Sequence, residues 1–319
     1  MKPVGGYFEL ELGMGGCAYH ETPHTFKSGR SALHYILNVC RPSLVYVPYY
    51  TCNAMLQSFE AANVPFVFYA INEALEPVSL PTLQNGQYFL YINYFDIKGN
   101  VVYGLSEIYG NRLIVDCTQA FFTKGNGRSW FFNSCRKFFG VPDGAFVYGP
   151  DEINLPAVES NNEMYTLEHL VKRFNGHTRE GYAAFQQNEI YCGAAITGMS
   201  TITRHLLSNI NYEAVIEKRR ANFNYLHQVF KHTNRLPVTA NDDSVPMVYP
   251  LLPAGTVNRQ ALYNSNLFIP TFWTEIITGD ESGYTVEQRL AEKLLPLPVD
   301  HRYGINDMKR MATFIQSML

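Results

Sequence analysis

Short apolar runs, cut by prolines and polar residues, constrain this 319-residue chain more than any other feature. LVYV (44–47), PFVFYAI (65–71), YFLYIN (88–93), RLIVD (112–116), SWFFN (129–133) and GAFVYG (144–149) have the length of strands, and Pro48 stops the first. Helical patterns lie between them. In SALHYILNV (31–39), Ala32, Leu33, Ile36 and Leu37 recur at helical spacing, and Ser28 or Gly29 is placed to cap that helix. TCNAMLQSFEAAN (51–63) reads as a second helix. Short apolar strands alternating with helices predict an α/β fold: a mainly parallel central sheet with helices on both faces.

Beyond about residue 151 the pattern changes. Residues 163–174 and 212–232 carry long amphipathic helix patterns; 245–253 is extended, 258–264 helical, and 305–318 a closing helix. This predicts a large α/β domain over 1–209 and a smaller α+β domain over 210–319, with 239–246 as the clearest loop.

Composition excludes several classes. Hydrophobic content of 46% with 17% charged residues suits a globular protein with a sizeable core. With 25 basic and 28 acidic residues the chain lacks the cationic surplus that a nucleic-acid backbone requires. The short run Lys218-Arg219-Arg220 reads as a solvated helix face. No basic start followed by a long apolar run marks a signal peptide, and no apolar stretch is long enough to span a membrane. The six cysteines are scattered without metal-knuckle spacing, so a cytoplasmic protein with reduced thiols is expected.

Parallel sheets place ligands at the carboxyl ends of their strands. Asn93, Asp116, Asn133 and Ser134 end apolar runs there, and Lys137 follows between Phe131-Phe132 and Phe138-Phe139. A pyridoxal phosphate site needs this inventory. An amine must condense with the aldehyde, and desolvation among phenylalanines is expected to favour its neutral form. A carboxylate must face the pyridine nitrogen. Hydroxyls and backbone amides, best at a helix N-terminus, must hold the phosphate. Lys137, Asp116, Ser134 with the turn from Gly29 to Ala32, and Gln119 or Asn93 are the residues available for these roles.

The motifs themselves resemble a known family. DCTQA (116–120), SGRSALHYIL (28–37), VYVPYYTCNAM (45–55), SCRKFFGVPDGAFVY (134–148) and KLLPLPVDHRYGINDMKRM (293–311) resemble, in order, segments of the DegT/StrS sugar aminotransferases. That resemblance implies the pyridoxal-phosphate-dependent transferase fold type I, a homodimer, and amino transfer from a small-molecule donor to a keto sugar, free or nucleotide-linked. It implies that Lys137 binds the cofactor as an imine and shuttles the proton. Asp116 would face the pyridine nitrogen and Gln119 would bond near the ring hydroxyl. Gly29, Arg30 and Ser31, helped by Ser134, would hold the phosphate.

Departures from the family bear on the substrate. Ser134 stands where the family has His, Phe132 where it has Ser, and Cys52 where it has the aromatic that stacks on the ring. Tyr49 or Tyr50 is the candidate to replace that aromatic, with ordinary core packing as the alternative, and Asn188 is a candidate for the phosphate-binding Asn of a neighbouring subunit. Two rival readings stay open: elimination or carbon–sulfur chemistry on the same cofactor, and a non-catalytic relative that binds a sugar nucleotide. Arg30, Arg179 and Arg204 are candidates for a donor carboxylate. Cys135 is reactive only if a nearby cation activates it. His20 and His24 are separated by Pro23, which breaks the helix that a metal pair would need. GMGG (13–16) leads into no helix pattern and reads as a turn.

Overall fold

Each apolar run must pair its backbone groups as it buries its side chains, and the way to do both is a sheet. The computed structural model describes residues 10–156, 158, 167–239, 241, 243–278 and 283–319. All the predicted runs are strands in it. A two-residue edge strand β1 (Thr25–Phe26) comes first. It is followed by β2 (Leu44–Pro48), β3 (Phe66–Tyr69), β4 (Gln87–Ile92), β5 (Leu113–Cys117), β6 (Trp130–Asn133) and β7 (Ala145–Tyr148). They form one seven-stranded sheet in the order β1-β7-β6-β5-β4-β2-β3. The pairs from β3 to β6 are parallel, and β7 is antiparallel to both its neighbours. Register decides where the polar run ends go. Ile92 faces Asp116, Asp116 faces Phe132, and Cys117 faces Asn133, so Asn93, Asp116 and Asn133 leave the sheet along one edge.

Helix α1 (Gly29–Cys40) starts where predicted, with Ser28 Oγ accepting the Ser31 amide at 3.1 Å. Helix α2 (Asn53–Ala62) packs beside it. Helix α3 (Gly99–Tyr109) was not expected, because its glycines at 99 and 104 mask the helical pattern. Then come α4 (Glu168–Phe174), α5 (Thr178–Tyr191) and α6 (Thr201–Ser208). The first part of the predicted 163–174 helix lies outside the described residues.

Helix α7 (Tyr212–Phe230) opens the last third and packs on the final helix. Its neighbours include a separate two-stranded antiparallel sheet, β8 (Val248–Leu251) with β9 (Leu295–Pro298). Between these strands lie α8 (Arg259–Asn264), α9 (Thr274–Ile277) and α10 (Thr285–Lys293), and α11 (Ile305–Gln316) closes the chain. The core runs through both sheets: Phe89, Leu90, Ile114, Val115, Leu251 and Leu297 are fully buried.

The basic run in α7 is only in part a solvated face: Lys218 is exposed and Arg220 half-buried, but Arg219 is not. Arg219 is 1% exposed, because it shares the buried stripe of Val215, Asn222, Phe223 and Leu226. Helical phase, not local charge, sets its direction. Among the described residues, no helix is long and apolar enough to cross a membrane.

Candidate active site

Three chain segments meet at the carboxyl edge of the sheet. Asp116 is the penultimate residue of β5, 5% exposed, and its Oδ1 accepts the Thr118 amide at 2.7 Å. Beyond β6 the chain makes a 3₁₀ turn over Cys135–Lys137, tied down where the Cys135 amide donates to the Gly144 carbonyl at 2.9 Å. Lys137 ends that turn, and its Nζ donates to Thr118 Oγ1 at 3.2 Å. Thr118 therefore touches both the acid and the amine. Burial raises the Asp116 pKa above the usual carboxyl range; the Lys137 charge and the Thr118 amide pull it down but do not prevail.

The expected desolvation of Lys137 is corrected here: the residue is exposed. Cys135, Phe138 and Phe139 point inward, the two rings joining Phe121 and Phe122. A tight turn whose flanking residues bury their side chains throws the residue between them outward. Local sequence hydrophobicity could not show that alternation.

The start of α1 seats directly on these strand ends. A Cβ on Gly29 would lie 3.0 Å from Thr118 Cγ2 and 3.3 Å from the Asn133 carbonyl oxygen, so any side chain here would crowd the strand ends. Ser31 is fully buried, its hydroxyl donating to the Thr197 carbonyl at 3.3 Å and accepting the Thr197 amide at 3.1 Å. Arg30 turns aside to the Glu189 carbonyl, at 2.7 Å, and to Gln57. Glu189 also takes Arg136 Nη1 at 2.5 Å, and the two arginines lower its pKa against the opposing effect of burial. Ser134 is buried in extended conformation just before the lysine turn.

Other expected site residues are committed elsewhere. Gln119 lines the cleft described below, but its Oε1 accepts the Phe95 amide at 3.1 Å. Asn93 Oδ1 accepts the Lys98 amide, and its Nδ2 donates to Asp96 and Thr123, so it braces the loop after β4. Tyr50 is fully buried with Trp273 packed edge-on at 4.2 Å, which removes it as a ring-stacking residue. Asn188 is buried within its own chain and donates to the Pro142 carbonyl at 2.7 Å, so it cannot reach a neighbouring subunit. Burial pushes the Cys135 thiol well up, away from reactivity. His20 is buried between Tyr148 and the Phe121 carbonyl, and the described residues hold no cluster fit for a metal ion. Arg204 donates to Thr25, and Arg179 is exposed.

A cleft of about 1100 Å³ opens beside Lys137, lined among others by Cys52, Gln119, Phe272 and Trp273. Its walls carry Arg136, Lys137, Arg173, Arg219, Arg302 and Arg310 against only Glu189, Asp300 and Asp307. The whole chain has a net charge of −3, so the positive excess is local and favours an anionic ligand.

Sequence reasoning missed Thr118, Arg136, Glu189, Arg219 and Trp273. Thr118 stood inside DCTQA and was within reach; the others are joined only by the fold. The donor set suits an aldehyde cofactor in its essentials: an accessible amine, a buried carboxyl a short way from it, and a close-packed helix start beside both.

No protein-family model matches the sequence, and no curated protein does. Solved structures match in fold over nearly the whole chain. The aminotransferase TlmJ of Streptoalloteichus hindustanus superposes with a TM-score of 0.65 at 13% identity, covering 92% of this chain and 84% of that one. The sugar aminotransferase CalS13 of Micromonospora echinospora gives 0.62 at 13% identity, covering 93% and 87%. The GDP-4-keto-6-deoxy-D-mannose-3-dehydratase of E. coli, solved with bound hydrated PLP, gives 0.60 at 13% identity, covering 91% and 86%. The fold of this chain is the one these proteins share, as the α/β reading expected.

Proposed function

We propose that this chain is a pyridoxal-phosphate-dependent aminotransferase of the DegT/StrS type, passing an amino group from a small-molecule donor to a keto sugar. The observation that carries the reading is the Asp116–Thr118–Lys137 chain at the carboxyl edge of the sheet. Its setting in a fold shared with sugar aminotransferases supports it.

Pyridoxal phosphate, when bound, supplies an aldehyde that takes up amino groups and a ring that withdraws electrons from the carbon bearing the nitrogen. The residues of this chain do the rest. Lys137 Nζ would hold the aldehyde carbon at rest and, once released, would take and return a proton at the substrate carbon. General acid–base help of this kind is worth about 10²–10⁴-fold. Thr118 Oγ1 gives Nζ a fixed partner in both roles. Asp116 would face the pyridine nitrogen and keep it protonated. Gly29, Arg30 and Ser31 at the start of α1, with Ser134, would take the phosphate end. For Arg30 this requires leaving Glu189, and for Ser31 it requires giving up a bond, since its hydroxyl is engaged with Thr197 and its amide with Ser28 Oγ. The positive walls suit a nucleotide-linked acceptor.

A homodimer belongs to the same reading and would supply the phosphate ligand that Asn188 does not. Six free cysteines support a cytoplasmic setting. A second reaction, dehydration or another elimination, is favoured by one observation: Cys52 lines the cleft in place of a ring-stacking aromatic, in a fold shared with a dehydratase.

The test is to incubate the protein with pyridoxal phosphate, reduce with borohydride, and map the peptides by mass. The expected outcome is a pyridoxyl group on Lys137 and none on Lys137→Ala. Label distributed over surface lysines, or absent, overturns the reading. Product analysis with a keto sugar separates amino transfer from elimination.

A further inference from the structure

Directly behind the lysine turn, two polar side chains reach the cleft wall with atoms that nothing satisfies. Arg219 comes from α7 and its guanidinium lies over the Phe138 ring, 4.5 Å from the centroid. Its Nη1 donates to the carbonyls of Pro246 and Met247 at 3.2 and 3.3 Å. Its Nε is buried without a partner. Among the described residues its Nη2 makes no hydrogen bond, and the guanidinium has no carboxylate within ion-pair distance. The acid that acts most strongly on it, Asp300, is held by Arg302 through both Nε (2.7 Å) and Nη2 (3.0 Å). His301, the next residue, packs beside Phe139 with ring centroids 5.9 Å apart, and its Nδ1 is also buried without a partner. Both side chains line the cleft that contains Lys137.

A buried guanidinium with no counter-ion is costly, and so is each orphaned donor. Two such groups, from adjacent elements and facing one cleft, call for a partner that the described residues do not supply. With Nη1 occupied by carbonyls, the free edge of Arg219 is the Nε–Nη2 fork. That edge matches two oxygens of one anionic group.

We propose that Arg219 and His301 form an anion subsite on the wall of the cleft, which takes two oxygens of a substrate carboxylate or phosphate while the reacting carbon lies at Lys137. The inference rests on the aminotransferase reading and identifies where such an enzyme grips its substrate. The two sources of that anion, the carboxylate of an amino donor and the diphosphate of a nucleotide-linked acceptor, enter in different half-reactions and can be told apart.

The experiment uses the full chain loaded with pyridoxal phosphate. Discharge of the cofactor's visible absorbance is followed with each of the twenty L-amino acids. Binding of uridine diphosphate to the cofactor-free chain is measured by calorimetry. Arg219→Met, Arg219→Lys and His301→Gln are compared with wild type; His301 is only half-buried, so its variant serves if the Arg219 variants fail to fold. The subsite predicts that one of the two ligands loses affinity by about tenfold to a hundredfold, as expected for hydrogen bonds to a charged group. Its maximal discharge rate and the cofactor uptake stay near wild type, and Arg219→Lys recovers part of the loss. Loss confined to the amino acid identifies a donor-carboxylate site; loss confined to uridine diphosphate identifies an acceptor-phosphate site. Variants that take up cofactor and leave both affinities unchanged overturn the proposal, as does a wild type that binds neither ligand. If borohydride fails to mark Lys137 while uridine diphosphate binding still depends on Arg219, the aminotransferase reading fails and the subsite stands.

Discussion

The Thr118 hydroxyl accepts a hydrogen bond from Lys137 Nζ at 3.2 Å, while the amide of the same Thr118 holds Asp116 Oδ1 at 2.7 Å. One residue thus fixes the spacing of the amine and the acid. Thr118→Val keeps the shape and removes the hydroxyl. Cofactor uptake and borohydride labelling of Lys137 should persist, while the rate of the amino-donor half-reaction falls by about tenfold to a hundredfold. Rapid-mixing absorbance measurements across a pH series check this; an unchanged rate removes Thr118 from the proton path.

Asp116→Asn should separate stability from cofactor affinity. Burial raises the Asp116 pKa in the folded chain. A carboxyl so shifted contributes stability at low pH that is lost as pH rises through its folded pKa. The neutral amide escapes that loss. The cofactor-free variant should therefore be at least as stable as wild type at pH 8 in urea titrations. Its affinity for pyridoxal phosphate should fall by about tenfold to a hundredfold, since a charge-assisted contact is gone.

Gly29→Ala should disturb the junction of α1 with the strand ends. The added methyl meets the Thr118 methyl at 3.0 Å and a backbone carbonyl oxygen at 3.3 Å, and the carbonyl cannot rotate away. Overpacking of this kind costs about 1–3 kcal/mol. The gain in helix propensity at a first-turn position is smaller, so the midpoint of urea unfolding should drop. Cofactor affinity should drop with it, because the same start of α1 is proposed to hold the phosphate.

His20 should set the acid limit of stability. Burial lowers its pKa from the ordinary 6.5 to about 4, outweighing the Phe121 carbonyl that favours the proton. A histidine with a depressed folded pKa adds stability above its unfolded pKa, and that stability is lost as pH falls towards the folded value. Over the window from 6.5 down to 4 the loss is about 3 kcal/mol. Urea unfolding at pH 7.5 and pH 4.5 should show a steeper acid loss for wild type than for His20→Asn.

Several features were legible in the sequence because they depend on near neighbours. The apolar runs specified strands, Ser28 and Gly29 marked a helix start, and Asp116 and Lys137 stood out as polar residues at strand ends. Others were misread because they depend on residues far along the chain. Tyr50 looked free to stack on a ligand until Trp273 was seen to cover it. Arg219 looked solvated as part of a basic run, whereas its helical phase aims it at Phe138. Lys137 looked desolvated among phenylalanines, but the 3₁₀ turn sends its neighbours inward and leaves it outside.

The sequence alone determined the alternation of strand and helix, and with it the sheet edge at which Asp116 and Lys137 had to appear. Hydrophobic spacing and capping act over a few residues, so they can be read directly. Tertiary structure decided which polar atoms were satisfied. It turned Asn93 and Gln119 onto backbone amides, tied Arg30 to Glu189, and left Arg219 and His301 with unpaired atoms at the cleft. Hydrogen-bond satisfaction is settled by partners distant in sequence, and folding alone brings those partners within reach.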